Sequence, residues 1–510
     1  MRLAHNISRF IETRSNITVA AALFVLTLGV MFMYRPFSQA EDGDAALIDY
    51  ISQCVVRGQT LYRDVIDIKA PGSFFLNALA MKAGSAVGIR DIFAVRLLQI
   101  VMTSLLSAVV YFVAVAYLRN RFAGVLSALV LLAFPHFALW TVGGGQPKLP
   151  MILFGMLTLL LIAKDRPFLA GLCSMLSCLC WQPGLLFTGV AFLMFSRYLT
   201  SWRDLRALKV IAGAAIPLAA TVLYFAGIGA LDEFWTWTVV FNYSVYARRS
   251  LEGAGRSFGH LVNVALRIFS AYLVFVVLSI VGFAMFVVQR LRRKQLESSE
   301  LFRDAIVIAP AAYFAACLIR FNAGPYLIPF LPFIGLFFAW LILELVRLVK
   351  ERSPQRKSIG PSTATLLPVA VSIVLLGIAA YRAFAYQFES ILTLRAQEEQ
   401  LEPVTRLIGS SDTIYVHGST EILVLTNKAN LNAFVFLDWG KDDFIAAKNY
   451  GGSFDALVAE IESHAPKIVA LGRLQKVAHR DDFRKWVEQH YENLEIPGYS
   501  VYVRKSQTGM

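Results

Sequence analysis

The chain has 510 residues, of which 57% are hydrophobic and only 16% are charged. A soluble protein carries about 25% charged residues, so this composition excludes a soluble globular protein and predicts a polytopic membrane protein. The net charge of +13 could indicate nucleic-acid binding, but membrane topology explains it better, because the basic residues fall in short loops. The five cysteines form no CxxC pair, which disfavours a metal site or a disulfide framework.

Eleven apolar runs approach or reach the length of a membrane span. The first extends from after Arg14 to about Tyr34 and ends without a small-residue cleavage site, so it predicts an uncleaved span and not a signal peptide. The runs lie near residues 17–34, 92–118, 122–141, 149–163, 167–181, 184–199, 208–228, 261–288, 305–319, 325–346 and 364–385.

A further segment, 71–88, is moderately apolar but contains Lys82 and several Gly and Ser residues. The positive-inside rule predicts that it lies at the membrane interface and does not cross. With eleven spans, the cytoplasmic segments hold 21 Lys and Arg in 62 residues, whereas the first outer loop, 35–91, holds 6 in 57. This topology places the N-terminus in the cytoplasm and everything after about residue 386 outside, on an inner (plasma) membrane.

The first outer loop contains the acidic stretch "EDGDAALIDYISQCVVRGQTLYRDVIDIKAPG" (41–72). A carboxylate at the membrane surface could act as a general base. Arg63 and Lys69 could bind a lipid-linked phosphate at headgroup level, and Asp64 and Asp67 beside them are further candidates for substrate binding. A lipid is the expected donor because nucleotide sugars and ATP are not normally available outside. Alternatively, Asp64 and Asp67 simply pair with these two cations and have no role in chemistry.

Three other outer segments contain residues that could bind a donor or an acceptor. They are Lys148 after the "GGGQP" turn, Tyr243, Tyr246, Arg248 and Arg249 in "NYSVYARR", and Arg320 at the end of the ninth span. Arginine suits anionic groups and tyrosine can stack on sugar rings. The alternatives are plain turn chemistry at the glycines, an interfacial aromatic belt, and an arginine that reaches the lipid headgroups.

The tail, 386–510, is acidic and has no spanning run. Short β-rich runs at 413–419, 432–438, 467–472 and 498–505 alternate with helical patterns at 453–465 and 480–491. This alternation predicts a small extracytoplasmic α/β domain. No GxGxxG motif or metal-binding histidine pair occurs, so the tail is expected to cover the active chamber or to bind the acceptor.

The run "DGDAALIDY…RGQTLYRDVIDIKAPGSFFL" resembles the first outer loop of the GT-C superfamily, and most closely the protein O-mannosyltransferase and aminoarabinose-transferase type. Bacterial members show a "PYRDxxDxKPPG"-like run, which this sequence matches at Gly58, Tyr62, Arg63, Asp64, Asp67, Lys69, Pro71 and Gly72. Leu61 and Ala70 stand where the family usually has proline. Trp181 stands where lysine is common. Pro325 replaces a histidine before Tyr326, a candidate for substrate binding, in a segment similar to the family's "HYFLPLLPPLALL".

The resemblance implies that an acidic residue just after the first span activates the acceptor. Counting back from Gly58 at the family spacing gives Asp44, and Asp42 in its Asp-Gly context is the alternative. The usual Asp-Glu pair is absent, because Ala45 follows Asp44.

The resemblance therefore implies a transmembrane catalytic domain (1–385) with a GT-C-like fold and an outer α/β domain (386–510). The implied activity is inverting transfer of a sugar from a polyprenyl phosphate to a hydroxyl acceptor, within the bilayer's outer leaflet and without a metal or other cofactor. A flippase for a lipid-linked glycan and a non-catalytic envelope-assembly subunit remain alternatives. Nucleic acid is not an expected partner.

Overall fold

The computed structural model describes residues 2–197, 204–247, 254–292, 302–319, 321–352, 362–409, 411–438 and 440–505. In the helical body, the α-helices are α1 (Arg2–Met33), α2 (Gly43–Val56), α3 (Gly72–Ala86), α4 (Asp91–Leu118), α5 (Arg121–Ala133), α6 (Pro135–Val142), α7 (Lys148–Ala163), α8 (Pro167–Cys180), α9 (Leu185–Ser196), α10 (Arg206–Gly227), α11 (Leu231–Trp235), α12 (Ala254–Phe269), α13 (Leu273–Arg292), α14 (Ala305–Ile319), α15 (Leu331–Arg352) and α16 (Ser362–Tyr386). In the tail they are α17 (Leu394–Leu407), α18 (Thr420–Thr426), α19 (Lys441–Asn449), α20 (Phe454–Ser463) and α21 (Arg480–His490).

Seven helical segments of the described chain are long and apolar enough to cross a membrane. The bent pair α5 and α6 is an eighth candidate, and α7, α8 and α9 with its preceding turn are shorter apolar helices. Together these segments coincide with the eleven predicted apolar runs. The predicted class, a polytopic helical membrane protein, is confirmed, while the side of the membrane that each end faces stays a prediction.

The predicted span at 122–141 is two helices and not one. α5 ends at Ala133, α6 begins at Pro135, and the two axes differ by 70°. Proline cannot donate the helical hydrogen bond and its ring clashes with the preceding turn, so the chain bends here. The bend leads α6 into the Gly143–Gly145 turn.

Close helix packing in the body depends on small residues. A Cβ at Gly171 of α8 would lie 2.0 Å from the Val210 carbonyl oxygen of α10, and a Cβ at Gly213 would lie 1.9 Å from the Phe168 carbonyl oxygen. Only hydrogen side chains permit this reciprocal approach of two backbones, as is common between membrane helices.

The tail forms a four-stranded sheet, in the order β1 (Ile414–His417), β2 (Ile468–Leu471), β4 (Val501–Arg504) and β3 (Tyr491–Asn493). β1 and β2 are parallel, with Ile414 opposite Ile468, and the other neighbours are antiparallel. The predicted strands at 413–419, 467–472 and 498–505 and both predicted helices are present.

The predicted strand at 432–438 is wrong. Its described residues are irregular, because their backbone groups bond to loops and to a side chain and not to a neighbouring strand. The Val435 carbonyl accepts from Gly418 N at 2.8 Å, the Ala433 carbonyl accepts from Ile66 N at 3.1 Å, and Leu437 N donates to His417 Nε2 at 3.0 Å. These hydrogen bonds to residues outside the sheet take the place of the inter-strand hydrogen bonds that the β-rich sequence favours.

The tail packs on the segment 35–91, which connects α1 to α4. Leu394 N donates to Ser38 O (2.9 Å), and Gln397 exchanges two 2.8 Å hydrogen bonds with the backbone of Glu41. Asn430 N donates to the Tyr50 hydroxyl of α2 (2.8 Å). One hydrophobic core contains residues of both the loop and the tail, and a second lies within the helical bundle. α2 is therefore fixed between the bundle and the tail, and the predicted division at residue 385 stays a prediction.

Candidate active site

A cavity of about 550 Å³ lies where the segment 35–91, the helical body and the tail meet. It is lined by six of the residues selected from the sequence: Asp44, Asp67, Lys69, Lys148, Tyr243 and Tyr326. The helical body contributes an aromatic and amide wall, and the tail contributes charged side chains. The cavity thus brings together a carboxylate, several cations and rings that could bind a sugar.

Asp44 lies in the first turn of α2, where the helix dipole favours a carboxylate. The helix begins at Gly43, whose φ of +57° lies in the left-handed region that glycine tolerates. A Cβ at Gly43 would lie 2.6 Å from Arg473 Nη2, so the position also admits the tail's arginine.

The charges around Asp44 keep it ionised. Desolvation raises the pKa of this carboxyl, but Lys69, Lys148 and Arg473 act in the opposite direction and the net result is a lowered pKa. Arg473 Nη1 lies 3.9 Å from Asp44 Oδ1, too far for a hydrogen bond. The side chain is still 52% exposed, since it lines the cavity wall. Asp44 is therefore available to accept a proton.

Asp67 positions Lys69. The Asp67 carboxylate is 3% exposed, accepts from Lys69 N at 2.7 Å and pairs with Lys69 Nζ at 3.2 Å. The Tyr62 hydroxyl donates to the Lys69 carbonyl at 2.7 Å. The matched "YRDVIDIK" run thus folds so that its lysine faces the cavity while its second aspartate supports it.

Arg63 and Asp64 do not line the cavity. Asp64 Oδ2 accepts from Thr60 N at 2.7 Å, and Arg63 pairs with Asp64 at 3.3 Å and donates to the Thr60 hydroxyl. These contacts stabilise the turn that precedes Lys69. The geometry of Arg63 and Asp64 therefore matches the alternative in which the two side chains simply pair with each other.

Lys148 is buried at the cavity wall with 2% of its surface exposed. Its Nζ lies 5.0 Å from the ring centroids of both Trp181 and Tyr326, and 3.4 Å from Gln146 Oε1. Among the described residues no carboxylate pairs with it. Lys148 is also the first residue of α7, where the helix dipole disfavours a cation.

The glycines before Lys148 permit close approach to α2. Gly145 N donates to Asp49 Oδ1 at 3.1 Å, and a Cβ at Gly145 would lie 2.6 Å from both this oxygen and Asn77 Nδ2. The turn at 143–145 therefore does more than reverse the chain direction. It also fixes the start of α7 against α2, the helix that carries Asp44.

A buried polar cluster supports this contact. Glu41 pairs with Arg96 at 2.6 Å, and both side chains are 0% exposed. Glu41 Oε2 and Asp49 Oδ2 have no partner in the described structure. Burial and the charge of Glu41 raise the pKa of Asp49 well above its usual value, which favours a protonated Asp49. Sequence reasoning missed this cluster.

The body's cavity wall is held by hydrogen bonds. Asn242 Nδ2 and Gln182 Nε2 donate to the Ile68 carbonyl at 2.9 and 2.7 Å, which fixes the loop that precedes Lys69. The Tyr313 hydroxyl donates to the Tyr326 carbonyl at 2.9 Å. Tyr243 is 76% exposed and its ring can face a ligand.

The tail contributes cavity residues that sequence reasoning missed: Phe436, Asp438, Lys441, Arg473 and Gln475. Lys441 pairs with Asp438 at 3.0 Å, and both Lys441 and Arg473 lie within 6 Å of the Phe436 ring. One signal was available, because Arg473 lies two residues after the end of β2 and loops at the carboxyl ends of parallel strands commonly bind ligands.

The remaining predicted residues lie elsewhere. Asp42 lines a second pocket of about 580 Å³, together with Glu421 and Tyr499. Arg248, Arg249 and Arg320 lie outside the described residues, as does the side chain of Tyr246. In the part of the chain that the structure describes, no three His, Cys, Asp or Glu side chains come together as metal ligands, and the expectation of a metal-independent site stays a prediction.

Comparisons with known proteins bear on the predicted family resemblance. Residues 58–223 match the family model described as DolP-mannose mannosyltransferase. A dolichol phosphate-mannose mannosyltransferase of Haloferax volcanii is 29% identical over 174 residues, which is 34% of this chain. The alignment spans 37% of that relative's length.

Solved structures match over nearly the whole chain. ArnT from Cupriavidus metallidurans, bound to undecaprenyl phosphate, matches with a TM-score of 0.61 at 13% identity, over 95% of this chain and 98% of ArnT. The oligosaccharyltransferase of Archaeoglobus fulgidus, tethered to an acceptor peptide, matches with a TM-score of 0.52 at 12% identity, over 95% of this chain and 74% of that chain. This protein therefore has the GT-C fold, and its resemblance to polyprenyl-phosphate-sugar-dependent glycosyltransferases is confirmed.

Proposed function

We propose that this protein is a glycosyltransferase that moves a sugar from a polyprenyl phosphate to an acceptor hydroxyl on the extracytoplasmic face. The observation that carries the proposal is the position of Asp44, an ionised carboxylate in one cavity with Lys69 and Lys148. The family match covers both lysines, so the proposed sugar is mannose on a dolichol-type or similar polyprenyl phosphate. The basic cytoplasmic loops support the assignment of the face.

The surroundings of Lys148 favour the binding of an anionic ligand. Burying an ammonium without a carboxylate partner costs free energy, and placing it at a helix N-terminus adds to the cost. A phosphate at this position would meet the ammonium and the N-terminus of α7 together, which is a favourable anion site. Lys69, positioned by Asp67, would contact the same group from the first outer loop.

The charge of the cavity favours a monophosphate donor. Its described lining holds the three carboxylates of Asp44, Asp67 and Asp438, and four cations: Lys69, Lys148, Lys441 and Arg473. The net charge of +1 balances the single negative charge of a sugar phosphodiester. A sugar diphosphate would leave an uncompensated negative charge in a partly desolvated site.

The reaction follows from these positions. Asp44 removes the proton of the acceptor hydroxyl, and that oxygen forms a bond to the anomeric carbon from the face opposite the phosphate. The bond between this carbon and the phosphate oxygen breaks, and its electron pair leaves with the polyprenyl phosphate. Configuration inverts. The lysines stabilise the charge that develops on the leaving phosphate, which needs no general acid.

Transfer of labelled mannose from a synthetic polyprenyl phosphate mannose in detergent tests the proposal. Asp44→Asn should lower transfer at least about 100-fold, because general-base catalysis contributes that much or more. Asp42→Asn is the matched control in the neighbouring pocket. Full activity of Asp44→Asn would remove this mechanism.

The alternatives give different results in the same system. Donor binding without transfer to any hydroxyl acceptor would favour a non-catalytic subunit. Movement of the intact lipid-linked sugar across vesicle membranes, again without transfer, would favour a flippase.

A further inference from the structure

A second crevice, of about 240 Å³, lies at the carboxyl ends of the parallel strands β1 and β2. The two loops that follow these strands nearly touch: Gly472 N donates to the His417 carbonyl, and a Cβ at Gly418 would lie 2.3 Å from the Gly472 carbonyl oxygen. The crevice has room for a single sugar unit. Its place at strand ends is where ligands commonly bind in such sheets.

The crevice adjoins the cavity that contains Asp44. Arg473 and Gln475 line both. Arg473 has a φ of +52°, and this left-handed backbone turns its side chain from the end of β2 to within 3.9 Å of Asp44. A molecule with one hydroxyl at Asp44 could therefore place its next unit in the crevice.

The crevice lining is rich in hydrogen-bonding side chains that are not used within the protein. None of the following has a side-chain hydrogen bond or ion pair with another described residue: Ser419, Gln475, Arg484, Ser500 and Tyr502. Hydroxyl, amide and guanidinium groups that converge on one small space suit a hydroxyl-rich ligand and do not suit a lipid chain.

The charge of the crevice is positive. Arg473 and Arg484 line it, and no carboxylate among the described residues does. The pocket that contains Asp42 has the opposite character, since Glu41 and Glu421 line it without a described cation. Arg473 also faces Asp44, so Arg484 is the guanidinium of this crevice that pairs with no described carboxylate. Arg484 favours a ligand that carries a carboxylate or phosphate, which arginine binds through paired hydrogen bonds.

We propose that this crevice binds the acceptor, a saccharide of at least two units in which the unit next to the reacting sugar carries a carboxylate or phosphate. This inference rests on the proposed function and specifies its acceptor. The reacting hydroxyl lies at Asp44, Arg473 spans the junction, and Arg484 binds the anionic group of the second unit.

The test uses three octyl disaccharides with the same terminal mannose and a second unit of glucose, glucuronate or glucose 6-phosphate. We expect KM to be about 10-fold lower for at least one charged acceptor than for the neutral one, with similar kcat. Arg484→Gln should abolish this preference, and the two charged acceptors distinguish a carboxylate from a phosphate site. Arg480→Gln, on the same helix but outside the crevice, is the control and should keep the preference.

Equal KM values for all three acceptors, or an unchanged preference in Arg484→Gln, would overturn the inference. So would efficient transfer to serine or threonine peptides that does not depend on Arg484. If wild-type protein transfers to none of these molecules, titration calorimetry with the glucuronate and glucose disaccharides decides. Binding of the charged probe that Arg484→Gln weakens supports the crevice even where the transferase proposal fails, and absence of such binding rejects it.

Discussion

Lys148→Met tests the electrostatics of the donor site most directly. Methionine keeps most of the apolar stem but removes the ammonium from between the rings of Trp181 and Tyr326, 5.0 Å from each. If this charge serves a bound phosphate, the donor loses one charge-assisted hydrogen bond, which is worth about 1.5–3 kcal/mol. The Kd of a polyprenyl phosphate should then rise roughly 10- to 150-fold.

The same substitution should not destabilise the fold. A buried ammonium without a carboxylate partner costs several kcal/mol in desolvation. The two cation–π contacts return about 2 kcal/mol each when desolvated. Because these contributions nearly cancel, the Tm of Lys148→Met in detergent should be unchanged or higher than that of the wild type.

Two measurements separate these effects. Titration of a short-chain polyprenyl phosphate, followed by tryptophan fluorescence, gives the affinity, and thermal denaturation in the same detergent gives the Tm. Lys164→Met is the matched control, because Lys164 is an exposed lysine at the opposite end of α7. A lower Tm together with an unchanged Kd would show that Lys148 stabilises the fold, and the reasoning from its missing partner would be refuted.

Three other predictions concern carboxylates near the cavity. The pKa of Asp44 is lowered, so this base stays ionised in mild acid. As pH is lowered, kcat/KM should therefore fall only below the usual aspartate pKa of about 4. A fall in kcat/KM centred near pH 6 would contradict this assignment. Asp42→Asn should change kcat/KM less than twofold, because Asp42 lines a different pocket, and a large loss would reassign the base. The pKa of Asp49 is raised in the folded state, so its contribution to stability is fully present below the unfolded pKa and is lost as pH rises through the folded pKa. Asp49→Asn should therefore flatten the decline of Tm with rising pH. Asp49→Ala should cost about 1–3 kcal/mol at acidic pH and less as pH rises, because the wild type itself loses stability there. Equal pH profiles for wild type and Asp49→Asn would refute a protonated Asp49.

The two aspartates that spacing left as alternatives are two residues apart yet meet different surroundings. Gly43 between them turns the chain at the start of α2. Asp44 then lines the cavity with the lysines, and Asp42 lines the pocket beside Glu421. Spacing within a motif could select this short segment but could not separate its members, because the direction of each side chain depends on the helix start.

The two charge pairs of the matched run also show that a sequence motif does not fix where each side chain points. From the sequence, Arg63 with Asp64 and Lys69 with Asp67 looked equivalent. In the structure the first pair closes a turn at the surface, whereas the second presents its lysine to the cavity. Local sequence does not encode the difference, which arises from what packs against each turn.

By itself, the sequence determined the membrane class, the eleven apolar segments, the α/β character of the tail and the stretch of loop that holds the carboxylates. These features follow from hydrophobicity and periodicity, which act over a few neighbouring residues. Only the tertiary structure decided that Lys148 is buried without a carboxylate partner among the described residues, that Asp49 joins α2 to the turn at 143–145, and that Arg473 reaches Asp44 across more than 400 residues of chain. Such contacts depend on the packing of distant segments, and no local pattern specifies them.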